Sequence, residues 1–559
     1  MTEHAVGSAV TAGSPGPPAT AVPGADPHGA DQYEADAPGA DSAGTDSAGT
    51  HPGGTGAAGA GGTGGGGRVV LAPVAWRPLG VVAGLVAAVL LATNGGYGYH
   101  RDELYFLMLR PDWGYRDQPP LTPAIARLAD TLFGGSLWGL RVPATLGVLA
   151  ALLLAALVAR ELGGGALAQT LAAAGLGTGG ATLIFGHVLL TAGFDMVVWL
   201  GIVLCAARAL LRNQPRWWLL AGAVLGIGLY NKLLVVLLLV GLGAGLLAVG
   251  PRRVLLDRWL WAGVGLALLV GAPNLVYQLS HELPQAGMAA AIAEDKGAES
   301  RSTFVPFQFL LIGPPLAAVW LAGLVGLLRR PSWRPVRALA VAYLVVCVLV
   351  LVSGGQPYYP YGLLGTLFAA GCVVLADWLG RGRQRARRLV VGAAYLLNAV
   401  SSAVIALPLV PVGTLGDTPV PGINITAADS VGWPRYVDQV VRAYDALPPA
   451  DRAAAVVLTA NYGEAGALTR LGAGRLPAIY SGHNELGYYG PPPESATVLV
   501  GVGVGEEGEL RRYFGTCRLA GRLDNGVGVD NEEQGVPIVL CRDRRLTWAE
   551  LWPEVRHFD

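Results

Sequence analysis

Long apolar runs separated by short polar segments dominate the chain between residues 78 and 407. A helix that crosses a membrane needs about 17–25 mainly apolar residues. Runs of about this kind lie at 78–96, 138–159, 166–187, 191–211, 216–231, 233–250, 258–277, 306–328, 336–353, 358–378 and 388–407. The pattern predicts a polytopic α-helical membrane protein with about eleven transmembrane helices.

Arginines occupy every second junction between these runs. They are Arg68, Arg77, Arg160, Arg212, Arg216, Arg252, Arg253, Arg258, Arg329, Arg330, Arg334, Arg337, Arg381, Arg383, Arg385, Arg387 and Arg388. Cytoplasmic loops carry an excess of Lys and Arg, so these junctions are predicted to be cytoplasmic. The N-terminus is then inside and the C-terminus outside, and the outward loops are 97–137, 187–192, 231–233, 278–305 and 353–358.

Two flanking regions have a different character. Residues 1–67 contain almost no large apolar side chain, which predicts a disordered cytoplasmic tail ahead of the membrane domain at 68–411. Beyond 412 the charge rises and the long apolar runs end. Strands predicted at 454–459, 496–502 and 536–540 and a helix predicted at 434–446 indicate an extracytoplasmic α/β domain at 412–559.

Three features of this C-terminal domain yield further predictions. Cys517 and Cys541 are its only cysteines, and an oxidising compartment would favour a disulfide between them. The segments 461–464 and 480–484 follow or adjoin strands, where they either form a polar rim for a ligand or reflect ordinary loop polarity.

Composition narrows the possible classes of protein. Of the 559 residues, 52% are hydrophobic and 14% are charged, whereas about a quarter of residues are charged in soluble domains. The net charge is zero, which argues against a nucleic-acid-binding protein.

Polar and ionisable residues gather in or beside the outward loops: Asp102, Glu103, Asp117, Asp195, Lys232, His281, Glu282 and Gln356. A charged side chain at the centre of a membrane helix costs about 2.5–3.5 kcal/mol on insertion scales, so such residues seldom persist without a role. Their concentration on one face predicts a functional site there.

The first outward loop contains two amphipathic stretches, beginning near Arg101 and at Leu121. In the first, Leu104, Leu107 and Met108 share one helical face, as expected of a helix lying in the membrane interface. Two such helices would form a shallow cavity that a substrate with a lipid tail and a polar head could reach.

The residues of this loop resemble glycosyltransferase family 39, which includes protein O-mannosyltransferases and aminoarabinose transferases with the GT-C fold. The resemblance lies in Asp102-Glu103, then 114–121 (GYRDQPPL), 190–195 (LTAGFD), 231–232 (NK), 312–315 (IGPP) and 356–361 (QPYYPY). It covers roughly residues 78–410.

The resemblance implies a glycosyltransferase in a bacterial cell membrane that uses a polyprenyl-phosphate sugar outside the cytoplasm. Mannose is the family-level expectation for the sugar. A protein, a glycolipid and a cell-wall polysaccharide all remain open as the acceptor. The partners are therefore the bilayer, the lipid-linked sugar and this acceptor.

Three carboxylates are candidates for the catalytic centre. Transfer with inversion needs a base for the acceptor proton, and the resemblance assigns that role to Asp102. Glu103 is expected to orient the site or to be solvated. Asp195 is a second acidic residue near the acceptor or the base. Asp102 and Asp195 each have an alternative interpretation as a helix N-cap.

Several residues are candidates for binding the donor phosphate. Lys232 and Arg116 could neutralise the leaving group, or could instead extend to the interface and contact lipid headgroups. The resemblance also places Gln118, Gln356, Tyr358, Tyr359 and Tyr361 in the donor site, whereas an aromatic belt is the alternative for the tyrosines.

A divalent metal is a further possibility, with Asp117 and His281 as ligands, because carboxylate and imidazole groups both bind such ions. An exposed histidine without a ligand role is the alternative. In the aminoarabinose-transferase branch an acidic-Lys-Pro stretch carries a metal ligand and a phosphate-binding lysine. Here that stretch is Asp117-Gln118-Pro119, so the lysine is missing.

Two other functional classes fit a many-helix membrane protein. A lipid or sugar transporter or flippase would show repeated halves and a site near the bilayer midplane, and neither pattern is found in the sequence. A sensor would need a signalling output, which the short cytoplasmic loops do not suggest.

Overall fold

The computed structural model describes residues 71–558. The tail predicted at 1–67 lies outside the described residues. From residue 76 to residue 406 the chain is almost entirely helical. The helices are α1 (Trp76–Thr93), α2 (Arg101–Met108), α3 (Leu121–Leu132), α4 (Leu137–Leu140), α5 (Val142–Glu161), α6 (Ala166–Gly177), α7 (Gly180–His187), α8 (Thr191–Leu211), α9 (Trp217–Gly228), α10 (Val235–Val249), α11 (Arg258–Ser280), α12 (Pro284–Asp295), α13 (Gly297–Ile312), α14 (Ala317–Arg329), α15 (Ala338–Ser353), α16 (Tyr361–Leu379) and α17 (Gln384–Ala406).

Each predicted apolar run coincides with an apolar helix or a pair of helices. Among residues 71–558, six helical segments are long and apolar enough to cross a membrane: α1, α4–α5, α8, α11, α16 and α17. The pair α13 and α14 is a further candidate, bent by 78° at Gly313. The remaining predicted spans are the shorter apolar helices α6, α9, α10 and α15, with α7 completing the run of α6. The prediction of a polytopic helical membrane protein is confirmed.

Arginines gather at one end of this bundle, which we call the arginine end. There the buried carboxylate of Glu161 accepts hydrogen bonds from Arg208 Nε at 2.7 Å and Arg212 Nε at 3.1 Å. At the same end Arg330 pairs with Asp377 at 2.8 Å. The first two contacts join the ends of α5 and α8, and the third joins the ends of α14 and α16. All four ends are predicted to be cytoplasmic.

The other junctions meet around residues 94–136, and we call this the loop end. Leu121 donates its N–H to the Tyr230 carbonyl at 2.9 Å, and the Thr122 hydroxyl donates to Asn231 Oδ1 at 3.0 Å. Asn231 in turn donates to the Thr191 carbonyl at 2.9 Å. The grouping of alternate junctions at two ends agrees with the arginine pattern. Which end faces the cytoplasm stays a prediction.

The region after α17 contains short helices and one sheet. Its helices are α18 (Val412–Leu415), α19 (Val420–Ile423), α20 (Ile425–Ala428), α21 (Trp433–Asp445), α22 (Pro449–Ala453), α23 (Tyr462–Leu471), α24 (Glu507–Leu510) and α25 (Trp548–Val555). Its strands are β1 (Ala455–Thr459), β2 (Ile479–Ser481), β3 (Val498–Val502), β4 (Phe514–Arg522) and β5 (Pro537–Arg544). The predicted small α/β domain is confirmed, and we call it the sheet domain.

The sheet has the strand order β2-β1-β3-β5-β4. Strands β2, β1 and β3 are parallel, whereas β5 is antiparallel to both β3 and β4. Both faces are covered: Val457 and Val500 point to the core that contains Trp433, and Val456 and Leu499 point to the core that contains Trp548. Alternate side chains of a strand project to opposite faces, so a continuous apolar run such as β1 is buried on both.

Cys517 of β4 and Cys541 of β5 are cross-strand partners and form a disulfide. The predicted pairing is confirmed. It ties the edge strand β4 to its neighbour β5.

The sheet domain packs directly on α2. A Cβ added at Gly466 of α23 would lie 2.7 Å from Leu104 Cβ, and one at Gly463 would lie 2.9 Å from Arg101 Cβ. Glycine permits this close approach because it has no side chain. Leu104 is 1% exposed and belongs to the core around Trp433, so the expectation that its face lies in the membrane interface is wrong.

Candidate functional site

Glu103 anchors the first loop to the helical bundle. Its side chain is 0% exposed and accepts hydrogen bonds from Arg141 Nε and Nη2, both at 2.9 Å. The N–H groups of Leu189, at 3.0 Å, and His100, at 2.9 Å, also donate to it. The alternative of a solvated Glu103 is therefore wrong. With its oxygens filled in this way, the residue can position α2 but is poorly placed to accept a further proton.

Asp102 lies in the first turn of α2 but does not cap it. The N-cap is His100, whose Nδ1 accepts the Asp102 N–H at 3.2 Å. The N-cap interpretation of the Asp102 carboxylate is thus wrong. Asp102 Oδ1 instead accepts a hydrogen bond from the Tyr462 hydroxyl at 2.9 Å. Tyr462 begins α23, so the sheet domain contributes directly to the surroundings of Asp102.

Ring contacts hold Tyr462 in place. It stacks on Tyr105 with 4.5 Å between ring centroids and lies 4.6 Å from the ring of His483. The Tyr462 N–H donates to His483 Nδ1 at 3.2 Å, and the Arg101 guanidinium lies 4.9 Å from the tyrosine ring. These contacts fix the direction of the hydroxyl that meets Asp102.

Asp195 lies in the second turn of α8, whose N-cap position is Leu190, so the capping interpretation is wrong here as well. The residue is 8% exposed, and its buried Oδ1 accepts no hydrogen bond of normal geometry from a described residue, although the Trp199 indole N–H lies close enough to act on the carboxyl. Buried polar atoms are seldom left in this state without a function.

Lys232 faces Asp195 and two tyrosines from the segment before α16. Its Nζ donates to the Tyr358 hydroxyl at 3.4 Å and lies 4.8 Å from the ring centroid of Tyr359. The lysine charge also acts on the Asp195 carboxyl. A half-buried ammonium with these neighbours can bind an anion, because only a tyrosine hydroxyl fills its donor positions among the described side chains.

Asp102 and Asp195 both lie near Tyr358. The charges of Asp102 and Asp195 both act on the Tyr358 hydroxyl, although these residues come from α2, α8 and the segment before α16. We call Asp102, Asp195, Lys232, Tyr358 and Tyr359 the carboxylate–lysine cluster. It lies at the loop end of the bundle.

Tyr361 and Gln356, the other two candidates of the 356–361 segment, do not belong to this cluster. Tyr361 is 3% exposed, and its hydroxyl lies 2.5 Å from Thr182 Oγ1 inside the bundle. Neither an aromatic belt nor direct donor contact fits such a buried ring. Gln356 is half-buried, and its carbonyl accepts the Tyr359 N–H at 3.1 Å, so it shapes the turn that presents the two tyrosines.

Arg116 and Gln118 lie where the first loop meets the sheet domain. The Arg116 N–H donates to Glu485 Oε2 at 2.9 Å, and its guanidinium lies 3.8 Å from the ring centroid of Tyr488. The Gln118 carbonyl accepts the Tyr115 N–H at 3.0 Å. If Arg116 binds the donor phosphate, it does so while it keeps its contacts with Glu485 and Tyr488 of the sheet domain.

Asp117 and His281 are the predicted metal ligands. His281 stacks on Tyr277 at 4.1 Å, and burial raises the pKa of Asp117 to about 7. A proton would therefore compete with a cation there. Within residues 71–558, no group of three or more His, Cys, Asp or Glu residues could hold a metal ion. A divalent ion held by Asp117 and His281 therefore stays a prediction.

A second set of acidic residues surrounds Arg101, where α2 meets the sheet domain. Arg101 pairs with Glu532. Burial raises the pKa of Asp429 to about 7 and that of Glu464 to about 8, and it also raises the pKa of Glu533. Repulsion among the carboxylates adds to this effect, whereas Arg101 opposes it. Glu464 is therefore mostly protonated at neutral pH, and Asp429 is partly protonated there.

Sequence reasoning missed two residues that organise the site. Arg141 lies inside a predicted apolar run, where a lone arginine could have indicated a buried partner. Tyr462 lies in the 461–464 segment, for which a polar rim was one interpretation. Its partner Asp102 is 360 positions away in the chain, and no local pattern connects the two.

Comparison with known proteins supports the family resemblance. Residues 117–277 match the family model described as dolichyl-phosphate-mannose-protein mannosyltransferase. The matched region includes Asp195 and Lys232, and Asp102 lies before it. No curated protein matches the chain.

Solved structures define the fold. ArnT from Cupriavidus metallidurans bound to undecaprenyl phosphate gives a TM-score of 0.56 at 15% identity, covering 84% of this chain and 98% of that chain. The apo state of the same protein gives a TM-score of 0.50 at 15% identity, covering 83% and 96% of the two chains. The chain thus has the GT-C fold with an ArnT-like architecture, and the predicted resemblance is confirmed.

Proposed function

We propose that the protein is a membrane glycosyltransferase that transfers a sugar from a polyprenyl phosphate to an acceptor hydroxyl outside the cytoplasm. The proposal rests on Tyr358, whose hydroxyl accepts a hydrogen bond from Lys232 and lies near both Asp102 and Asp195. A base and a cation are the two groups that such a transfer requires at one place.

Lys232 is the proposed partner of the donor phosphate. When the bond between the anomeric carbon and the phosphate oxygen breaks, the leaving phosphate gains negative charge. A fixed ammonium stabilises that charge more strongly at a partly dehydrated site than in water. The solved ArnT structure with undecaprenyl phosphate supports a donor of this chemical class, since the two chains share a fold.

Asp102 is the proposed general base. It accepts the proton of the acceptor hydroxyl while the acceptor oxygen bonds to the anomeric carbon. The polyprenyl phosphate leaves from the opposite face of the sugar, which inverts the anomeric configuration. The Tyr462 hydroxyl donates to Oδ1 and leaves Oδ2 to receive the proton.

Asp195 is proposed to act beside the base. Its buried Oδ1 accepts no hydrogen bond of normal geometry from a described residue, so it can accept one from a sugar or acceptor hydroxyl. Glu103 is proposed as a positioning residue, because Arg141 and two backbone N–H groups occupy its oxygens.

A panel of polyprenyl-phosphate sugars tests the proposal. Purified full-length protein in lipid nanodiscs is mixed with each donor, with mannose first, and the release of polyprenyl phosphate is followed. We expect turnover with at least one donor, and NMR of the product should show an inverted anomeric centre. No release from any donor, with or without membrane extract as the acceptor source, would contradict the proposal.

A further inference from the structure

The sheet domain contains a cavity that the carboxylate–lysine cluster does not use. Its volume is about 330 Å³. It lies at the carboxyl ends of β1 and β3, where Thr459 and Ala460 form one wall and Gly503 and Val504 another.

The topology of the sheet favours ligand binding at this point. The chain passes from β1 to β2 on one side and then crosses to β3 on the other side of β1. Connections that diverge from adjacent parallel strands leave a crevice beyond their carboxyl ends, and open α/β sheets bind ligands there.

The lining indicates the chemical class of the ligand. Arg512, Glu509, Glu554 and His557 contribute polar groups, and Phe514 is part of an apolar floor. An anion would meet two carboxylates, and a cation would meet the guanidinium. A neutral polyhydroxyl compound suits this mixture, because each hydroxyl can donate to a carboxylate and accept from the guanidinium.

A row of neighbouring rings lies between the cavity wall and the proposed catalytic centre. His557 of the cavity wall lies 4.8 Å from His483, measured between ring centroids. His483 lies 4.6 Å from Tyr462, whose hydroxyl donates to Asp102. Two ring contacts therefore separate the cavity wall from the tyrosine at the proposed base.

We infer that this cavity binds a neutral sugar unit of the acceptor, so that the acceptor is a carbohydrate chain. One unit occupies the crevice between β1 and β3 while the hydroxyl of another reaches Asp102. The assignment of the cavity to the acceptor rests on the proposed function, whereas sugar binding by the cavity can be tested without turnover.

Direct binding provides the first test. Wild-type full-length protein is titrated with mannose, glucose and galactose and with their neutral trisaccharides, and binding is followed by saturation-transfer NMR. Arg512→Ala and Glu554→Ala should weaken trisaccharide binding by about tenfold or more, as expected for loss of a hydrogen bond to a charged group. Val504→Trp should block binding by filling the cavity. Arg511→Ala changes a neighbouring exposed arginine that pairs with Glu507 and should leave binding unchanged.

Turnover provides the second test and separates the two proposals. Arg512→Ala should raise the KM for a saccharide acceptor, whereas Arg511→Ala should leave that KM at the wild-type value. Sugar binding that depends on Arg512, in a protein that consumes no donor, would refute the proposed function and leave the sugar site standing. Absence of saccharide binding, equal effects of the Arg512 and Arg511 variants, or donor consumption stimulated by peptides but not by saccharides would overturn the inference.

Discussion

The two ends of the helical bundle each bury a carboxylate, but the two carboxylates differ in the hydrogen bonds that they accept. At the arginine end, Glu161 is 1% exposed and both of its oxygens accept hydrogen bonds from arginines. At the loop end, Asp195 is 8% exposed, and its buried Oδ1 accepts no hydrogen bond of normal geometry from a described residue. A buried carboxylate whose oxygens are filled by arginines holds helices together, whereas one with an unfilled oxygen raises the free energy of the folded state. The cluster around Glu161 is therefore structural, whereas the surroundings of Asp195 leave room for a hydrogen bond to a ligand.

The same contrast recurs between adjacent residues of α2. Glu103 accepts from Arg141 and from two backbone N–H groups, whereas Asp102 accepts from the Tyr462 hydroxyl. The first carboxylate fixes the helix to the bundle, and the second keeps an oxygen for chemistry. Neighbouring acidic residues can therefore have different functions.

The largest expected effect on stability comes from Glu103→Gln. It leaves the buried Arg141 without its counter-charge, which costs about 3–5 kcal/mol of unfolding free energy. Unfolding in denaturant, followed by tryptophan fluorescence, would measure the loss. Sugar transfer per folded molecule should also fall, because α2 carries Asp102.

Glu161→Gln is the matched change at the arginine end. It should reduce stability, but transfer per folded molecule should stay close to that of the wild type. Equal loss of transfer in both variants would show that the two ends do not differ in function.

Lys232→Met should have the next largest effect. The variant removes the cation proposed to stabilise the leaving phosphate, so kcat/KM for the donor should fall by about 10²–10³-fold. Initial rates at several donor concentrations would measure it. Lys296→Met is the control, because Lys296 is exposed and lies near Asp295 and Glu532 instead. A wild-type rate in the Lys232 variant would remove this residue from the mechanism.

Tyr462→Phe should lower kcat by about tenfold, the value of one hydrogen bond of roughly 1.4 kcal/mol. The KM for the donor should not change, since Tyr462 contacts the base and not the proposed phosphate site. Tyr444→Phe removes a hydroxyl that bonds the Arg452 carbonyl elsewhere in the sheet domain, so it is the matched control. Equal effects of both variants would assign Tyr462 a merely structural role.

A further expected effect concerns pH. Burial raises the pKa of Glu464 from 4.5 to about 8 and that of Asp429 from 3.8 to about 7. The folded protein then holds protons that the unfolded chain has released, so stability falls as pH rises through this window and levels off above about pH 8. The Tm should decrease between pH 6 and pH 8, and Glu464→Gln should flatten the decrease. Parallel curves for wild type and variant would contradict the assignment.

Much of the helical part could be predicted from the sequence. Membrane-spanning segments are long apolar runs, and arginines mark alternate ends, so both signals are local. The strands β1, β3 and β5 were predictable for a similar reason, since buried strands are apolar throughout. In contrast, β2 has only three residues, and β4 is mostly exposed, so neither produces an apolar run.

The site could be predicted only in part. The residues at the ends of α2, α8 and α9 lay in or next to predicted outward loops, and the topology predicted that they would meet at one membrane face. The contact between Tyr462 and Asp102 could not be foreseen, because it depends on how the sheet domain packs on α2. The glycines that permit this packing, Gly463 and Gly466, are not distinctive among the 81 glycines of the chain.

A single-turnover comparison of Asp102→Asn and Asp112→Asn tests the central claim most directly. In the first variant the amide oxygen of the new side chain can still accept the Tyr462 hydrogen bond, but the amide cannot take a proton from the acceptor. Asp112 is an exposed carboxylate of the same loop. With donor and acceptor bound, Asp102→Asn should slow transfer by about 10²–10⁴-fold without loss of folding or donor affinity, and Asp112→Asn should transfer at the wild-type rate. Transfer by Asp102→Asn at the wild-type rate would contradict the assignment of the base and the site built around it.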